Sequence, residues 1–405
     1  MIKENKMYNV KLYDYVPAPE PATTDYIVAA HVYNAWKKGG TNVHKGFDQF
    51  LDYPERLPLL GRYDEENPEV CDWEIKWALE HGVNCFIYCW YRKKESMDRK
   101  ITVDDLRLAH GIHESLFNAR YGKQMKFAIM FEAQSRWGNT NPKDFEENLL
   151  PFWMEQYFLK ENYLVINNKP VLFIYDYQNR VRDGFGGEEK QAEAFFKAQD
   201  YAKKFGFDGI TFTVEYRYDD LSRYDEYKKG GYDSTFTYCW PVTEPLHPSQ
   251  EKIINKQMHT MYARAAKDPY YFIPCASKQW DPRPRMDIMP DVYGTAENTP
   301  IWNLEPASWR ELLEKIKRLM DTLPKDSLAS KMILLDNWNE WDEGHYLLPH
   351  YEGGFKYLQA VREVFTKRDN LPDYRDPAFL GLGPYDKNWG SADYSQYCKG
   401  KKLDK

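Results

Sequence analysis

Residues 333–349, "ILLDNWNEWDEGHYLLP", pass from a near-continuous apolar run into two tryptophans, two asparagines and a close group of acids. Apolarity without alternation is the pattern of a parallel strand covered on both faces. Glu340 and Glu343 then follow at a spacing of three, which spans roughly 10 Å of extended chain. A turn at "EWDEG", where Gly344 can adopt backbone angles closed to other residues, brings the two carboxyls nearer. Asp342, between them, is expected to be a solvated loop charge.

Seven further apolar runs share that character: 26–33, 83–90, 126–134, 170–177, 208–215, 232–240 and 271–280, with 331–338 as the eighth. Helical patterns separate them: a segment closing at Gly82, then 102–121, 143–163, 187–205, a short weak piece before 232, 249–267, 306–322 and 353–365. A long loop covers 34–67. Eight strands alternating with helices predict an α/β fold, a (β/α)8 TIM barrel, closed by right-handed crossovers. A doubly wound open sheet is the alternative, but the glycine-rich turn after its first strand is missing. The predicted organisation is a lead-in over 1–25, a barrel over 26–369 and an irregular extension over 370–405, rich in Pro, Gly, Asp and Tyr.

Composition narrows the class. Hydrophobic residues form 42% of 405, enough for a large core, and the net charge of −7 is spread among interspersed acids and bases, so no nucleic-acid footprint is expected. Aromatic residues reach 16%, with 32 Tyr and 13 Trp, a supply that serves either an aromatic core or a cleft that stacks on flat ligands. The six cysteines form no CxxC pair, and Cys85, Cys89, Cys239 and Cys275 sit in apolar runs, so free buried thiols are expected. No run of 18 apolar residues predicts a membrane span. The N-terminus lacks a leader's apolar core, so the chain as given reads as cytoplasmic, or as periplasmic or secreted if a leader has been removed.

Barrel enzymes of this kind carry their chemistry at the C-terminal ends of the strands. Those ends offer His31, Tyr33 and Trp36; Trp90 and Tyr91; Glu132 and Gln134; Tyr175; Glu215; Tyr238 and Trp240; Trp280; and Asn337, Asn339, Glu340, Trp341, Glu343 and His345. Rings to stack on, amides and acids for hydroxyls, and several carboxylates together predict a carbohydrate partner. Cleaving a glycosidic bond needs a proton donor for the leaving oxygen and a second group to meet the developing positive charge. Glu340 and Glu343 are the catalytic candidates, because adjacent tryptophans lower the local dielectric and let one acid keep its proton. The other residues named here are candidates for binding substrate. No metal and no cofactor is expected, since the nine histidines form no HxH pair at a strand end.

The element "NEWDEG" resembles the NEWxEG element of glycoside hydrolase family 99 and of the related WbsX-like proteins. Residues 58–91, "FAIMFEAQ" and "NYLVINNKPVLFIYDY" are similar to further segments of that family, in the same order. The resemblance implies a (β/α)8 barrel acting on α-mannosides or related sugars, with retention through a 1,2-anhydro sugar. Glu340 would then be the base at the sugar 2-hydroxyl, Glu343 the general acid/base, and Glu132 a sugar contact. This chain departs from the family pattern where "YLLP" supplies leucine in place of a glutamate, and where Ala133 and Gln134 follow Glu132. A glycosyltransferase of polysaccharide assembly and a non-catalytic sugar-binding barrel are the competing readings. A metal-dependent hydrolase, with His31 as a ligand, is the weakest.

Overall fold

The computed structural model describes residues 13–37, 46–133, 139–176 and 178–386. Eight parallel strands build the central sheet: Ile27–Val32, Cys85–Trp90, Lys126–Glu132, Lys169–Tyr175, Thr211–Glu215, Ser234–Phe236, Cys275–Ser277 and Met332–Asp336. In space they run sixth, fifth, fourth, third, second, first, eighth, seventh. The first strand therefore sits between the second and the eighth, with Ala29 opposite both Cys85 and Leu334. Between the sixth and seventh strands the ladder shrinks to one bridge, Thr235 with Phe272, leaving a nearly closed (β/α)8 barrel.

Local chemistry explains the outer layer. The helix Pro68–Glu80 starts with Pro68 in its first turn and with the Asn67 side chain accepting from the Glu69 amide. It ends before Gly82, whose φ of +88° favours glycine, as the sequence anticipates. Helices at Glu188–Lys203, Gln250–Lys267, Pro306–Thr322 and Lys356–Phe365 lie where the spacing predicts them. The run 142–158 is helical but includes wide turns at Phe145–Leu149 and Met154–Phe158. Pro151 has no amide hydrogen to give, and wider turns accommodate its missing bond.

One expected helix is not formed. Over 102–121 the chain makes a single turn at Val103–Asp105 and one wide turn at Gly111–Leu116, with irregular backbone around them. Gly111 packs against the Asn34 side chain, where an added Cβ would sit 2.7 Å from its Cγ. Contacts to the barrel mouth have overridden helix propensity there.

Both flanking segments bind the first helix. Tyr15 donates to Asp72 at 2.6 Å, and the Ala22 amide to Leu79 O at 2.9 Å. From the other end, the Tyr385 hydroxyl donates to Glu69 and accepts from the Trp73 indole. Five cysteines are free and buried, Cys71 joining the four expected; Cys398 lies outside the described residues. Among the described residues no helix is long and apolar enough to cross a membrane.

Candidate active site

The eighth strand ends at Asp336, and the chain turns at once into a hairpin pairing Asn339–Glu340 with His345–Tyr346. Gly344 closes that hairpin with a φ of +73°, and an added Cβ would lie 2.5 Å from the Asp281 carbonyl. Both the turn and the neighbouring backbone therefore require glycine. Glu340 faces His345 across the ladder, and the EWDEG turn folds Glu343 back toward both.

Arg285 joins the carboxyls. It follows the seventh strand in a short helix, Arg283–Met286, and its guanidinium donates to Glu340 at 2.9 Å, Glu343 at 2.5 Å and Asp342 at 2.7 Å. Asp342 is thus a fully buried ion-pair partner, correcting the expectation of a solvated loop charge. Its burial follows from the turn, which points three successive acids at one cation. Tyr293 adds a hydrogen bond to Glu343 at 2.6 Å, and His345 Nε2 lies 2.9 Å from the other Glu343 oxygen. Glu340 in turn accepts from the Tyr238 hydroxyl and from Asn337 at 3.2 Å.

These surroundings push the two glutamates apart. Burial first, and the nearby Glu343 charge second, lift the Glu340 carboxyl to about 8. Burial alone would raise Glu343 too, but Arg285 and the His345 hydrogen bond outweigh it and hold that carboxyl down to about 2. His345 has the mirror balance: burial disfavours its charge, yet Asp336 and Glu343 lift it to about 10. The surroundings therefore favour the protonated form of Glu340 and the charged forms of Glu343 and His345.

Several predicted residues surround this cluster. The Tyr33 ring lies 5.5 Å from the Arg285 guanidinium carbon, and Tyr91 packs edge-on to Tyr33 at 6.5 Å. Trp280 is tilted over His345 at 5.4 Å, and Tyr175 meets Tyr238 at 5.4 Å. Glu132 ends the third strand nearby, where its charge acts on Tyr91 and Cys89. Gln134 lies outside the described residues.

Other candidates are placed elsewhere. His31 is fully buried inside the barrel, stacked on Phe236 and tilted against Tyr238. Trp36 packs among Phe47, Phe50 and Tyr33. Trp90 donates to Tyr157 and lies against Trp153 in the outer layer. Trp240 donates to the Cys275 carbonyl under the Arg264 guanidinium. Trp341 and Asn339 alternate away from Glu340: the indole donates to Tyr63 and the amide to Glu65. Glu215 is buried against Arg217, which also donates to the Tyr175 hydroxyl. A strand-end position alone does not distinguish inward from outward side chains, because a one-residue shift reverses the face.

Arg285 and Tyr293 escape the sequence reading. The run "DPRPRMD" (281–287) carries a signal only in part: Arg285 directly follows Pro284 just past a barrel strand, where the proline restrains the backbone that presents it. The donor atoms of Glu340, Glu343 and His345 lie within 4.8 Å of one another, close enough to ligate a metal ion. A cation there would compete with Arg285 for both carboxyls.

Residues 139–361, more than half of the chain, match the family described as Glycosyltransferase WbsX. The uncharacterized protein WxcX of Xanthomonas campestris pv. campestris, from strains B100 and ATCC 33913, is 23% identical over 357 residues, covering 83% of this chain and 48% of its own. The chain thus spans about half the length of the curated relatives it matches. Among solved structures, the GH99 endo-alpha-mannosidase from Bacteroides thetaiotaomicron overlays 84% of this chain and 96% of its own at a TM-score of 0.58 and 14% identity. A glycoside hydrolase-like protein gives the same TM-score at 16% identity, covering 88% and 98%. At such identities the likeness concerns the fold alone, a (β/α)8 barrel. By the span of its family match, the chain belongs to the WbsX glycosyltransferase family.

Proposed function

We propose that the protein cleaves a glycosidic bond in an oligo- or polysaccharide, with Glu340 and Glu343 as its acid–base pair. The observation that carries this reading is the pair itself. Two buried carboxyls face one guanidinium at the barrel mouth, with their proton affinities pushed in opposite directions.

The family resemblance implies that Glu340 takes the proton of the sugar 2-hydroxyl as that oxygen attacks C1. Glu343 gives a proton to the leaving oxygen, then removes one from the water that opens the 1,2-anhydro sugar. In the resting site the proton lies on the opposite partner. Arg285 bridges the pair, so a small shift of its guanidinium from Glu343 toward Glu340 raises the first carboxyl and lowers the second. A bound sugar that displaces Arg285 in this way moves the proton to Glu343 and readies both roles.

Aryl α-mannosides and other glycans with a free 2-hydroxyl test the reading, with NMR detection of the first-formed anomer. Retention is expected; initial inversion contradicts the anhydro route. With Glu343 as proton donor, E343Q keeps turnover of substrates whose leaving group needs no proton, while E340Q loses it. The reverse pattern gives the donor role to Glu340.

The family's description favours a second reading, in which a sugar hydroxyl rather than water opens the intermediate. Tight calorimetric binding of a nucleotide sugar, or a product extended by an added acceptor, would favour transfer over hydrolysis.

A further inference from the structure

Beside the catalytic hairpin lies a second cavity of about 550 Å³, which the chemistry above does not use. Small-molecule sites typically span roughly 300–1,000 Å³. The hairpin is a shared wall. Glu340 and His345 pair within the catalytic cluster, while Tyr346, the next residue along, lines this cavity.

Lys278, just past the seventh strand, also lines it and is 1% exposed. Its ammonium lies 4.0 Å from the centre of the Tyr357 ring and 4.6 Å from that of Tyr346, and it donates to the neutral amide oxygen of Gln279. Among the described residues it forms no ion pair, whereas the other buried lysine, Lys76, is bridged to Glu80. Burial pulls the Lys278 amine well below the ordinary lysine range. The lining arginines, Arg56 and Arg283, are already tied to Asp281.

A second observation is independent of charge. The Trp302 indole nitrogen and His350 Nδ1 belong to residues that line the cavity and are 4% and 5% exposed, and neither atom has a hydrogen-bond partner among the described residues. A buried lysine that feels the Asp336 charge but forms no ion pair, and two unmatched ring nitrogens, are costly unless something fills the space.

We propose that this cavity binds an anionic, sugar-sized ligand, whose carboxylate or phosphate pairs with Lys278 and whose hydroxyls meet Trp302 and His350. The anion supplies the direct ion-pair partner that Lys278 lacks among the described residues, in a charge-assisted hydrogen bond. The site is distinct from the glutamate pair and does not depend on the function proposed for it.

Calorimetry or saturation-transfer NMR on the full chain at neutral pH, with glucuronate, glucose 6-phosphate and glucose as probes, tests this. At least one anionic probe should bind about tenfold or more tightly than glucose. K278M should remove that preference, and E343Q should leave it unchanged. Preference for glucuronate assigns a sugar acid; preference for glucose 6-phosphate assigns a sugar phosphate. Equal binding of all three probes overturns the proposal, as does binding kept in K278M and lost in E343Q. Should K278M fail to fold, N303D on the exposed rim takes its place, since a new negative charge there should weaken the anion several-fold. Unchanged affinity in N303D would overturn the site.

Discussion

The two faces of the hairpin at 339–346 treat charge in opposite ways. On one, Glu340, Asp342 and Glu343 converge on Arg285, with His345 behind them bridged to Glu343. On the other, Lys278 lies between tyrosine rings and forms no ion pair among the described residues. Buried charges that are mutually satisfied resist removal of a member, while a buried charge without a partner is relieved by it. The first face satisfies its charges within the protein, and the second leaves a lysine with no ion pair among the described residues.

The largest test of this contrast is catalytic. E343Q should lower turnover of unactivated substrates by about 10²–10⁴-fold, the usual worth of a positioned acid or base, with the fold intact by circular dichroism. Full activity would remove Glu343 from its role. Next in size is stability on the same face. R285M leaves three buried carboxyls without their cation and should cost about 3–5 kcal/mol in urea unfolding. K278M, on the opposite face, should be neutral or stabilising. Equal losses in the two variants would erase the distinction between the faces.

A pH scan sharpens it further. His345 is raised from 6.5 to about 10 in the folded protein, so its contribution is complete below pH 6.5 and is lost as pH rises through about 10. Stability measured across that range should fall, and H345Q should flatten the decline. G344A should cost about 2 kcal/mol or more, because it strains a left-handed turn and crowds Asp281, and it should disturb both faces at once. Smallest of all, W90F removes an indole that packs against Trp153 and Phe131. It should cost about 1 kcal/mol through its lost bond to Tyr157 and leave KM unaltered.

Most of the architecture was legible because its signals are local. Unbroken apolar runs such as "CFIYCW" and "ILLD" have no solvent face, and Pro68 and Gly82 punctuate a helix wherever they occur. The segment 102–121 misled because its helical composition yields to packing at the barrel mouth. The glutamates were legible from their crowding beside Trp338 and Trp341, although both indoles turn out to be buried packing. What stayed hidden depends on distant residues meeting. Nothing at Asp342 announces a guanidinium 57 positions earlier, and nothing at Trp240 tells that its indole meets the Cys275 carbonyl.

The join between the sixth and seventh strands has a consequence of its own. Seven of the barrel's eight joins are ladders of main-chain bonds, indifferent to which side chains they carry. At the remaining one, above the Thr235 bridge, the Thr237 amide donates to the Cys275 sulfur at 3.1 Å and the Trp240 amide to the Ser277 hydroxyl at 2.9 Å. A thiol and a hydroxyl thus substitute for carbonyls as the stitches of the seam. Single substitutions at these two positions, or oxidation of the Cys275 thiol, reach the closure of the whole cylinder, and with it the register between Tyr238 on one bank and Arg285 on the other.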